Sequence, residues 1–234
     1  MMKIKYILYV VCFLSITGWG PLSTILGGNP QPFGTSDWMS REMQLISSRA
    51  ANLNPHVLKL ALVAYVKARK HGLDSKDLIT VIDYTKPSDE KRLWVINVKR
   101  ASVLYNTWVS HGRNSGRNYT TSFSNRPGSL QSSYGVFLTT AEPYIGANGY
   151  SLRLVGLEPG INDNAYRRAL VIHGAWYADP GIAKRYGQLG RSWGCPAISE
   201  RIAKPLIDTI KEKTLVFAYT NNQRWIRNSP YLRG

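Results

Sequence analysis

Cysteine is scarce in this chain of 234 residues, which contains only Cys12 and Cys195. Cys12 falls in an N-terminal segment typical of an export signal, so the exported chain is expected to keep a single thiol. One cysteine cannot form an internal disulfide, which excludes the disulfide-stapled class of secreted domains. Cys195 is therefore a buried inert residue, an intermolecular link or a reactive thiol, and the count alone leaves these three open.

Long hydrophobic runs are missing as well. The apolar stretch near the N-terminus extends from Ile7 to Ile16, which is short of the roughly 20 residues that a membrane-spanning helix needs. Lysines before it and small residues after it predict that residues 1–20 are a signal peptide or anchor and that the protein is exported to the periplasm or cell envelope. The membrane is then contacted only through this segment, if it stays uncleaved. Residues 21–37, rich in Pro, Gly, Ser and Thr, predict a linker.

Acidic residues are few: 14 stand against 30 lysines and arginines, which gives a formal charge of +16. The basic residues are scattered and form no run, which argues against a nucleic-acid-binding protein. For an exported protein the excess charge fits an anionic envelope polymer as partner, or a solvated surface that keeps the protein soluble. The composition leaves both interpretations open.

Hydrophobic periodicity divides the rest of the chain into helices followed by strands. A helical N-terminal segment is predicted over residues 38–73, with Asn54 as the N-cap of its second helix and Gly72 at the end of that helix. Residues 74–234 are dominated by short β-branched runs, and "LITVIDYT" with "LWVINV" predicts a hairpin. The expected fold class is therefore mainly β with α, a β-sandwich-like domain with a small helical segment in front of it.

Further strands are predicted in "VLYNTWVSHG", "YGVFLTTA", "YSLRLVGL", "ALVIHGA" and "TLVFAYT". A helix is predicted over residues 199–211, with Ser199 as its N-cap and Pro205 as a possible kink. Between two of the strands, residues 113–133 are almost free of apolar side chains. A loop of this length inside a domain is more often functional than idle, so we expect it to border the cleft that holds the site.

Histidine is also rare, with four residues. His56 and His71 fall near the ends of the second helix, and neither has another ligand at metal-binding spacing, so no metal and no cofactor are predicted. His173 differs because it ends the apolar run "ALVI" and Gly174 follows it. A polar ring at the exit of a buried strand is placed like a catalytic group on a rigid scaffold.

The stretch "RSWGCP" surrounds the remaining thiol with turn-forming residues. Gly194 allows a positive φ and a close approach of the backbone to an acyl oxygen. The successive N–H groups of Trp193, Gly194 and Cys195 are expected to form an oxyanion hole. His173 is expected to lower the pKa of the thiol by pairing with the thiolate as imidazolium. Among the three possibilities for Cys195, this surrounding favours a reactive thiol.

"VIHGAWY" together with "GRSWGCP" resembles the catalytic signature of the YkuD-type L,D-transpeptidases, in which a His-Gly pair is followed by Ser-x-Gly-Cys. The resemblance is closest to the murein L,D-transpeptidase catalytic domain branch and extends over residues 78–227. It implies a YkuD-like β-sandwich catalytic domain, a cysteine nucleophile, and peptidoglycan stem peptides as the partner.

The same resemblance assigns roles residue by residue. It implies Cys195 as the nucleophile, His173 as its base and Gly174 as the source of a carbonyl that orients the histidine ring. Ser192 falls where the family stabilises the oxyanion, and so do the amides of Gly194 and Cys195.

Substrate contacts are expected from a second group of residues: His111, Trp193, Arg191 and Tyr177. His111 either lines the cleft or is a loop histidine satisfied by the backbone, and Arg191 either holds a stem-peptide carboxylate or is an incidental surface charge. Trp193 departs from the family pattern, because most members have a second histidine there, and Pro196 stands where an aliphatic residue is common. The resemblance therefore leaves the role of position 193 open.

A cysteine acyl transferase that forms a thioester with a stem peptide is the function that these features predict. With water as acceptor, the same site would be an L,D-carboxypeptidase or an amidase, because acceptor choice depends on pocket shape and water exclusion. Papain-like peptidases place cysteine before histidine, the reverse of the order here. A non-catalytic cell-wall-binding module is the alternative from a different class.

Overall fold

The computed structural model describes residues 31–233 of the chain. The predicted signal peptide or anchor at residues 1–20 and most of the predicted linker lie outside the described residues. The end of that linker is helical, because the first described helix begins at Ser36. None of the described helices is long and apolar enough to cross a membrane.

Five α-helices and one short 3-10 helix occur in the described residues. The α-helices are α1 Ser36–Ser47, α2 Pro55–Lys70, α3 Pro180–Tyr186, α4 Glu200–Ile210 and α5 Gln223–Asn228, and the 3-10 helix is Trp176–Ala178. α2 has the predicted ends: the Asn54 side chain accepts a hydrogen bond from the His56 N–H at 2.8 Å, and Gly72 follows the helix with φ 67°. An Asx residue before the helix and a left-handed glycine after it satisfy backbone groups that the helix leaves free.

Nine strands occur in the same part of the chain, and they join one sheet. They are β1 Leu78–Asp83, β2 Leu93–Asn97, β3 Ser102–Thr107, β4 Gly135–Thr139, β5 Tyr144–Gly146, β6 Gly149–Gly156, β7 Val171–Gly174, β8 Ala197–Ile198 and β9 Leu215–Tyr219. Their hydrogen-bonded order is β3-β2-β1-β9-β4-β6-β7-β8, with β5 paired to β6. β1 with β9 and β7 with β8 are parallel, and β1 with β2 forms the predicted antiparallel hairpin. The mainly β class with a few helices is confirmed.

Alternate residues of the central strands point into two hydrophobic cores on opposite faces of the sheet. Val81 and Phe217 belong to the core that α1 and α2 cover, whereas their neighbours Ile82 and Val216 belong to the core that α4 covers. Fully burying one such aliphatic or aromatic side chain contributes about 1.5–3 kcal/mol. The helices of the predicted N-terminal segment thus share a core with the sheet, in one unit that begins at Phe33.

The helix α4 begins directly after Ser199, the predicted N-cap residue, and continues through Pro205. The Ser199 side chain makes no capping hydrogen bond and donates instead to the Asp179 carboxylate at 3.0 Å. Pro205 lies inside α4 without ending it. The strands β5 and β8 and the helices α3 and α5 were not predicted, because they are too short for a hydrophobic period to show.

Glu158 fastens the C-terminal helix to the sheet. Its carboxylate accepts hydrogen bonds from the Val136 N–H at 2.7 Å, from the Trp225 indole N–H at 3.0 Å and from the Ser229 hydroxyl. The side chain is fully buried, and this burial raises its pKa. The three donors favour the ionised form and act against burial.

We expect Glu158→Gln to lower the free energy of unfolding by about 1–3 kcal/mol, the usual cost of leaving buried donors without acceptors. A carboxamide offers one acceptor oxygen where the carboxylate offers two, so the amide nitrogen faces one of the N–H donors. Urea unfolding measures the loss. The control is Glu142→Gln, which makes the same change at an exposed residue. Equal stability of the two variants would contradict the assignment of Glu158 as a fastening residue.

Candidate active site

The pairing of β7 with β8 places His173 and Cys195 in the same part of the sheet. These strands are parallel, and His173 lies opposite Ala197 in the register. Cys195 precedes Ala197 by two residues, at the end of the turn that leads into β8. A strand pair held by backbone hydrogen bonds is a rigid support for reacting side chains. The sheet therefore brings together two residues that are 22 positions apart in the sequence.

The His173 ring is oriented by the carbonyl predicted for that task. Its Nδ1 lies 2.9 Å from the Gly174 oxygen. A carbonyl only accepts hydrogen bonds, so the geometry assigns the proton to Nδ1 and leaves Nε2 free to take a proton. Gly174 has no room for a side chain, because a Cβ there would lie 2.9 Å from Cβ of Ala203. Glycine at this position thus lets α4 pack closely beside the histidine.

The turn before β8 is braced by Ser192. Its hydroxyl donates to the Cys195 carbonyl at 2.6 Å and accepts from the Gly194 N–H at 3.1 Å. The Gly194 N–H is thus occupied in this structure, and its expected part in an oxyanion hole stays a prediction. The Cys195 N–H has no acceptor among the described residues. Of the three predicted amide donors, Trp193 and Cys195 have an N–H that no described residue accepts, and Gly194 does not.

Gly194 has φ 122°, in the region that favours glycine. A Cβ on Gly194 would lie 2.7 Å from the Gln131 carbonyl oxygen. The Gln131 segment belongs to the long polar loop, and its neighbour Ser132 donates to the Gly194 carbonyl at 3.4 Å. The loop of residues 113–133 therefore lies against the cysteine turn, on the side where the sequence predicted it.

Arg191 ties the same loop to the turn. Its guanidinium donates to the Gly116 carbonyl at 3.1 Å and to the Arg113 carbonyl at 3.3 Å. The Arg113 N–H in turn donates to the Ser192 carbonyl at 2.7 Å. Arg191 is exposed, so binding a substrate carboxylate stays a prediction for this residue, next to a structural contact that the sequence did not indicate.

His111 is placed differently from the expectation that it contacts substrate. Its side chain is 0% exposed, and Nδ1 accepts a hydrogen bond from Arg92 at 2.8 Å. Burial and the Arg92 charge lower the pKa of His111 to about 3. A fully buried ring cannot reach a stem peptide, so the expected substrate contact of His111 is wrong. The hydrogen bond with Arg92 instead gives His111 a structural role at the start of the polar loop.

Two exposed tryptophans are close in sequence to His173 and Cys195. Trp193 is 75% exposed and Trp176 is 68% exposed. Tyr177 meets Trp176 edge-on, with 5.8 Å between ring centroids. The Tyr177 carbonyl accepts a hydrogen bond from the Gly190 N–H at 2.8 Å, in the segment that leads to the cysteine turn. Trp193 and Tyr177 therefore remain candidates for substrate contact, and Trp176 joins them as a residue that the sequence analysis missed.

Burial dominates the ionisation of the central pair. Cys195 is 8% exposed and His173 is 3% exposed. Loss of solvent raises the pKa of the Cys195 thiol, although the Val171 backbone amide and the Arg168 charge act in the opposite direction. Loss of solvent likewise lowers the pKa of His173. The expected thiolate–imidazolium pair is thus wrong for the resting site, where the desolvation of both groups favours a neutral thiol and a neutral imidazole.

The thiol hydrogen bonds elsewhere in the resting structure. Its Sγ lies 3.9 Å from the Ala169 carbonyl oxygen, and no hydrogen bond joins it to His173 among the residues described. Active sites often tighten such contacts only when substrate is bound. Arg168, next to Ala169, also faces the cysteine and was missed from the sequence, where it is one of 30 basic residues. No group of three or more His, Cys, Asp or Glu residues suited to a metal ion occurs in the described residues.

Most of the chain matches a known protein family. A family model described as an L,D-transpeptidase catalytic domain matches residues 49–219. The chain belongs to this family. The match includes α2 and every strand of the sheet. Both His173 and Cys195 fall within it.

Solved structures of L,D-transpeptidases are similar at low sequence identity. That of Mycobacterium smegmatis is 13% identical, with 62% of this chain and 59% of that chain covered and a TM-score of 0.38. L,D-transpeptidase 1 of Mycobacterium tuberculosis is 15% identical, with 62% and 60% covered and a TM-score of 0.35. The catalytic domain from E. faecium is 15% identical, with 62% and 98% covered and a TM-score of 0.34. The chain thus spans about 60% of the mycobacterial structures. None of the curated proteins matches it.

Gly194→Ala should destabilise this L,D-transpeptidase family member more than Gly187→Ala. Both glycines have positive φ, 122° and 67°, and such strain costs of order 1–3 kcal/mol for other residues. Only at Gly194 does a Cβ also meet a backbone atom, while Gly187 faces open space. Thermal unfolding of the two variants measures the difference. Equal melting temperatures of the two variants would show that the close contact between Gly194 and the polar loop does not contribute to stability.

The raised pKa of Cys195 makes a prediction for its chemical reactivity. The thiolate is the reactive form, and a pKa above the ordinary value leaves less of it at pH 7. Iodoacetamide should therefore alkylate Cys195 more slowly at pH 7 than a cysteine in an unstructured peptide, with the inflection of the rate at higher pH. Peptide mass spectrometry distinguishes Cys195 from Cys12. Alkylation of Cys195 that is faster than that of the peptide would contradict the neutral resting pair.

Proposed function

We propose that this protein is a cysteine acyl transferase that acts on the peptide stems of peptidoglycan. The proposal follows from family membership together with one observation, the hydrogen bond that fixes the His173 ring through the Gly174 carbonyl. That contact leaves Nε2 as the basic nitrogen of the ring, on the strand that pairs with the strand following Cys195. A histidine held in one tautomer next to a thiol is the arrangement that nucleophilic catalysis by cysteine needs.

The proposed first half of the reaction forms a thioester. His173 Nε2 takes the thiol proton while Cys195 Sγ attacks the carbonyl carbon of a stem peptide. The negative oxygen that develops accepts from the Cys195 N–H. The carbon–nitrogen bond then breaks, and the leaving amine takes the proton from His173. Because both groups start neutral, the thiolate forms only as the proton moves to His173, and no stable ion pair is needed beforehand.

The second half transfers the acyl group to an acceptor. An amine of another stem attacks the thioester carbonyl, gives its proton to His173, and becomes an amide as Cys195 Sγ leaves and recovers that proton. If water attacks in its place, the products are those of an L,D-carboxypeptidase or an amidase. The exposed Trp193 and Trp176 offer flat apolar surfaces for a substrate beside the site.

The polar loop adds a second surface for a long substrate. A cavity of about 830 Å³ is lined by loop residues that include Ser124, Ser129 and Gln131. Pockets of several hundred Å³ hold ligands as large as a short peptide. Cys195 does not line this cavity, but the Gln131 carbonyl that borders it faces Gly194. We assign the cavity to the part of the stem peptide or glycan that lies away from the reacting bond.

Peptidoglycan as substrate requires that the protein acts outside the cytoplasmic membrane. The short apolar segment after basic residues near the N-terminus supports export. Mass spectrometry of the protein isolated from its cells should then find a chain that begins at residue 21 or later, or an intact chain in the membrane fraction. A full-length chain in the cytosol would contradict export.

The catalytic roles predict specific losses of turnover. Cys195→Ala should abolish turnover of disaccharide-tetrapeptides, followed by mass analysis of the products. His173→Ala should reduce it on the order of a hundredfold to ten-thousandfold, the usual contribution of a positioned base. The double variant should be no slower than Cys195→Ala, since residues that act as one unit do not have additive effects.

The controls separate chemistry from folding. His56→Ala removes a histidine at the N-terminal end of α2 and should leave turnover unchanged. Thermal unfolding should show that Cys195→Ala is folded. Wild-type turnover by a folded Cys195→Ala protein would contradict acyl transfer through Cys195, whereas peptidoglycan binding without any turnover by the wild type would leave the cell-wall-binding module. Products that contain a new cross-link identify a transpeptidase, and shortened stems identify the hydrolytic alternative.

A further inference from the structure

Arg168 carries a charge that the structure leaves without an acidic partner. Its guanidinium is held by four neutral oxygens. Nη1 donates to the Ser124 carbonyl and to the Ser133 hydroxyl, and Nη2 donates to the Gln131 carbonyl at 2.6 Å and to the Ser129 hydroxyl at 3.1 Å. None of the ion pairs among the described residues includes it. Because arginine stays protonated, the polar loop holds a full positive charge in a fixed place.

The fixed charge lies beside Cys195. Ala169, the next residue after Arg168, has φ 52°, and its carbonyl accepts the hydrogen bond from the Cys195 thiol. A Cβ built on Gly194 would lie 3.4 Å from Nη2 of Arg168. The charge also lowers the pKa of the thiol, in opposition to burial. The thiol's hydrogen bond to the residue after Arg168 and the closeness of Nη2 to Gly194 thus place the guanidinium next to the turn that carries the sulfur.

Other titratable groups that face the thiol are neutral near pH 7. Tyr84, directly after β1, has its pKa raised to about 12, and so does Tyr177 of the 3-10 helix. His173 on β7 has a lowered pKa and is neutral as well. Of the described residues that interact electrostatically with Cys195, Arg168 is then the charged one.

We propose that Arg168 stabilises the Cys195 thiolate and thereby sets the reactivity of the thiol. This inference rests on the proposed acyl-transfer function. When His173 takes the thiol proton, negative charge appears on a sulfur that is almost excluded from water. A nearby positive charge offsets part of that cost. Arg168 acts as a positioning residue through its charge, in a site where Trp193 stands in place of a titratable residue.

The test compares two adjacent arginines in the full chain. Arg168→Gln removes the charge beside Cys195, and Arg167→Gln removes the same charge from the exposed neighbouring residue. Iodoacetamide is uncharged, so the surface potential does not alter its approach. The rate of alkylation at Cys195 is followed against pH by peptide mass spectrometry. Arg168→Gln should move the inflection upward by at least about one pH unit, which is about tenfold slower alkylation below it, while Arg167→Gln follows the wild type.

The direction of the change distinguishes the charge from a structural role. If Arg168 only held the loop, its loss would loosen the cover of Cys195, and the thiol would react faster as its pKa returned to the ordinary value. Arg168→Lys, which keeps the charge, should restore the wild-type profile. Unchanged or faster alkylation in Arg168→Gln would overturn the proposal. If circular dichroism shows that Arg168→Gln does not fold, Arg168→Met takes its place, because methionine keeps the apolar stem of the side chain without the charge.

The same variants separate this inference from the proposed function. Turnover that depends on Cys195, combined with an unshifted profile in Arg168→Gln, would overturn the role of Arg168 and leave acyl transfer intact. Turnover that survives Cys195→Ala would overturn acyl transfer. In that case a shifted profile would still establish the electrostatic effect of Arg168 on the thiol.

Discussion

The parallel pairing of β7 with β8 sets His173 opposite Ala197, and the other contacts of the site depend on that register. A slip of one residue would turn the histidine to the opposite face of the sheet. The closely packed α4 holds β7 from behind, and Gly174 is the residue that permits this approach. Ser192 and the polar loop contact the turn that carries Cys195. His173 is thus held by the packing of α4, and Cys195 by the contacts of its turn.

This rigidity has an electrostatic consequence. A thiol and an imidazole that are held nearly free of solvent resist ionisation, so the resting site is neutral although it is built for ionic chemistry. In our proposal, fixed groups offset that resistance: the Gly174 carbonyl for the ring, the Cys195 N–H for an oxyanion and the Arg168 charge for the sulfur. Dipoles and charges that are already in place need no rearrangement at the moment of reaction.

Much of this arrangement follows from local patterns in the sequence. The N-cap Asn54 and the glycine after α2 are local signals, and the continuous apolar run of β9, whose residues are all buried, is visible in "TLVFAYT". The motifs around His173 and Cys195 likewise predict, without a structure, the pair that we propose to react. Each of these depends on neighbours in the chain, which a sequence displays directly.

Other features depend on contacts between distant segments and were not predictable. The strand β8 has two residues and no detectable period, yet it sets the register of the site. The burial of His111 against Arg92 joins residues 19 apart, and the raised pKa of Cys195 is a property of the folded surroundings. Arg168 is one basic residue among many until the loop that binds its guanidinium is folded around it.

The most direct test of the central claim is the location of the acyl group during turnover. The protein is mixed with disaccharide-tetrapeptide, quenched with acid within one turnover, digested and sequenced by mass spectrometry. The account predicts an acid-stable, hydroxylamine-sensitive adduct on Cys195, with the mass of the donor acyl group, in wild type and none in Cys195→Ala. An adduct on another residue, or product formation in Cys195→Ala at the wild-type rate, would contradict it.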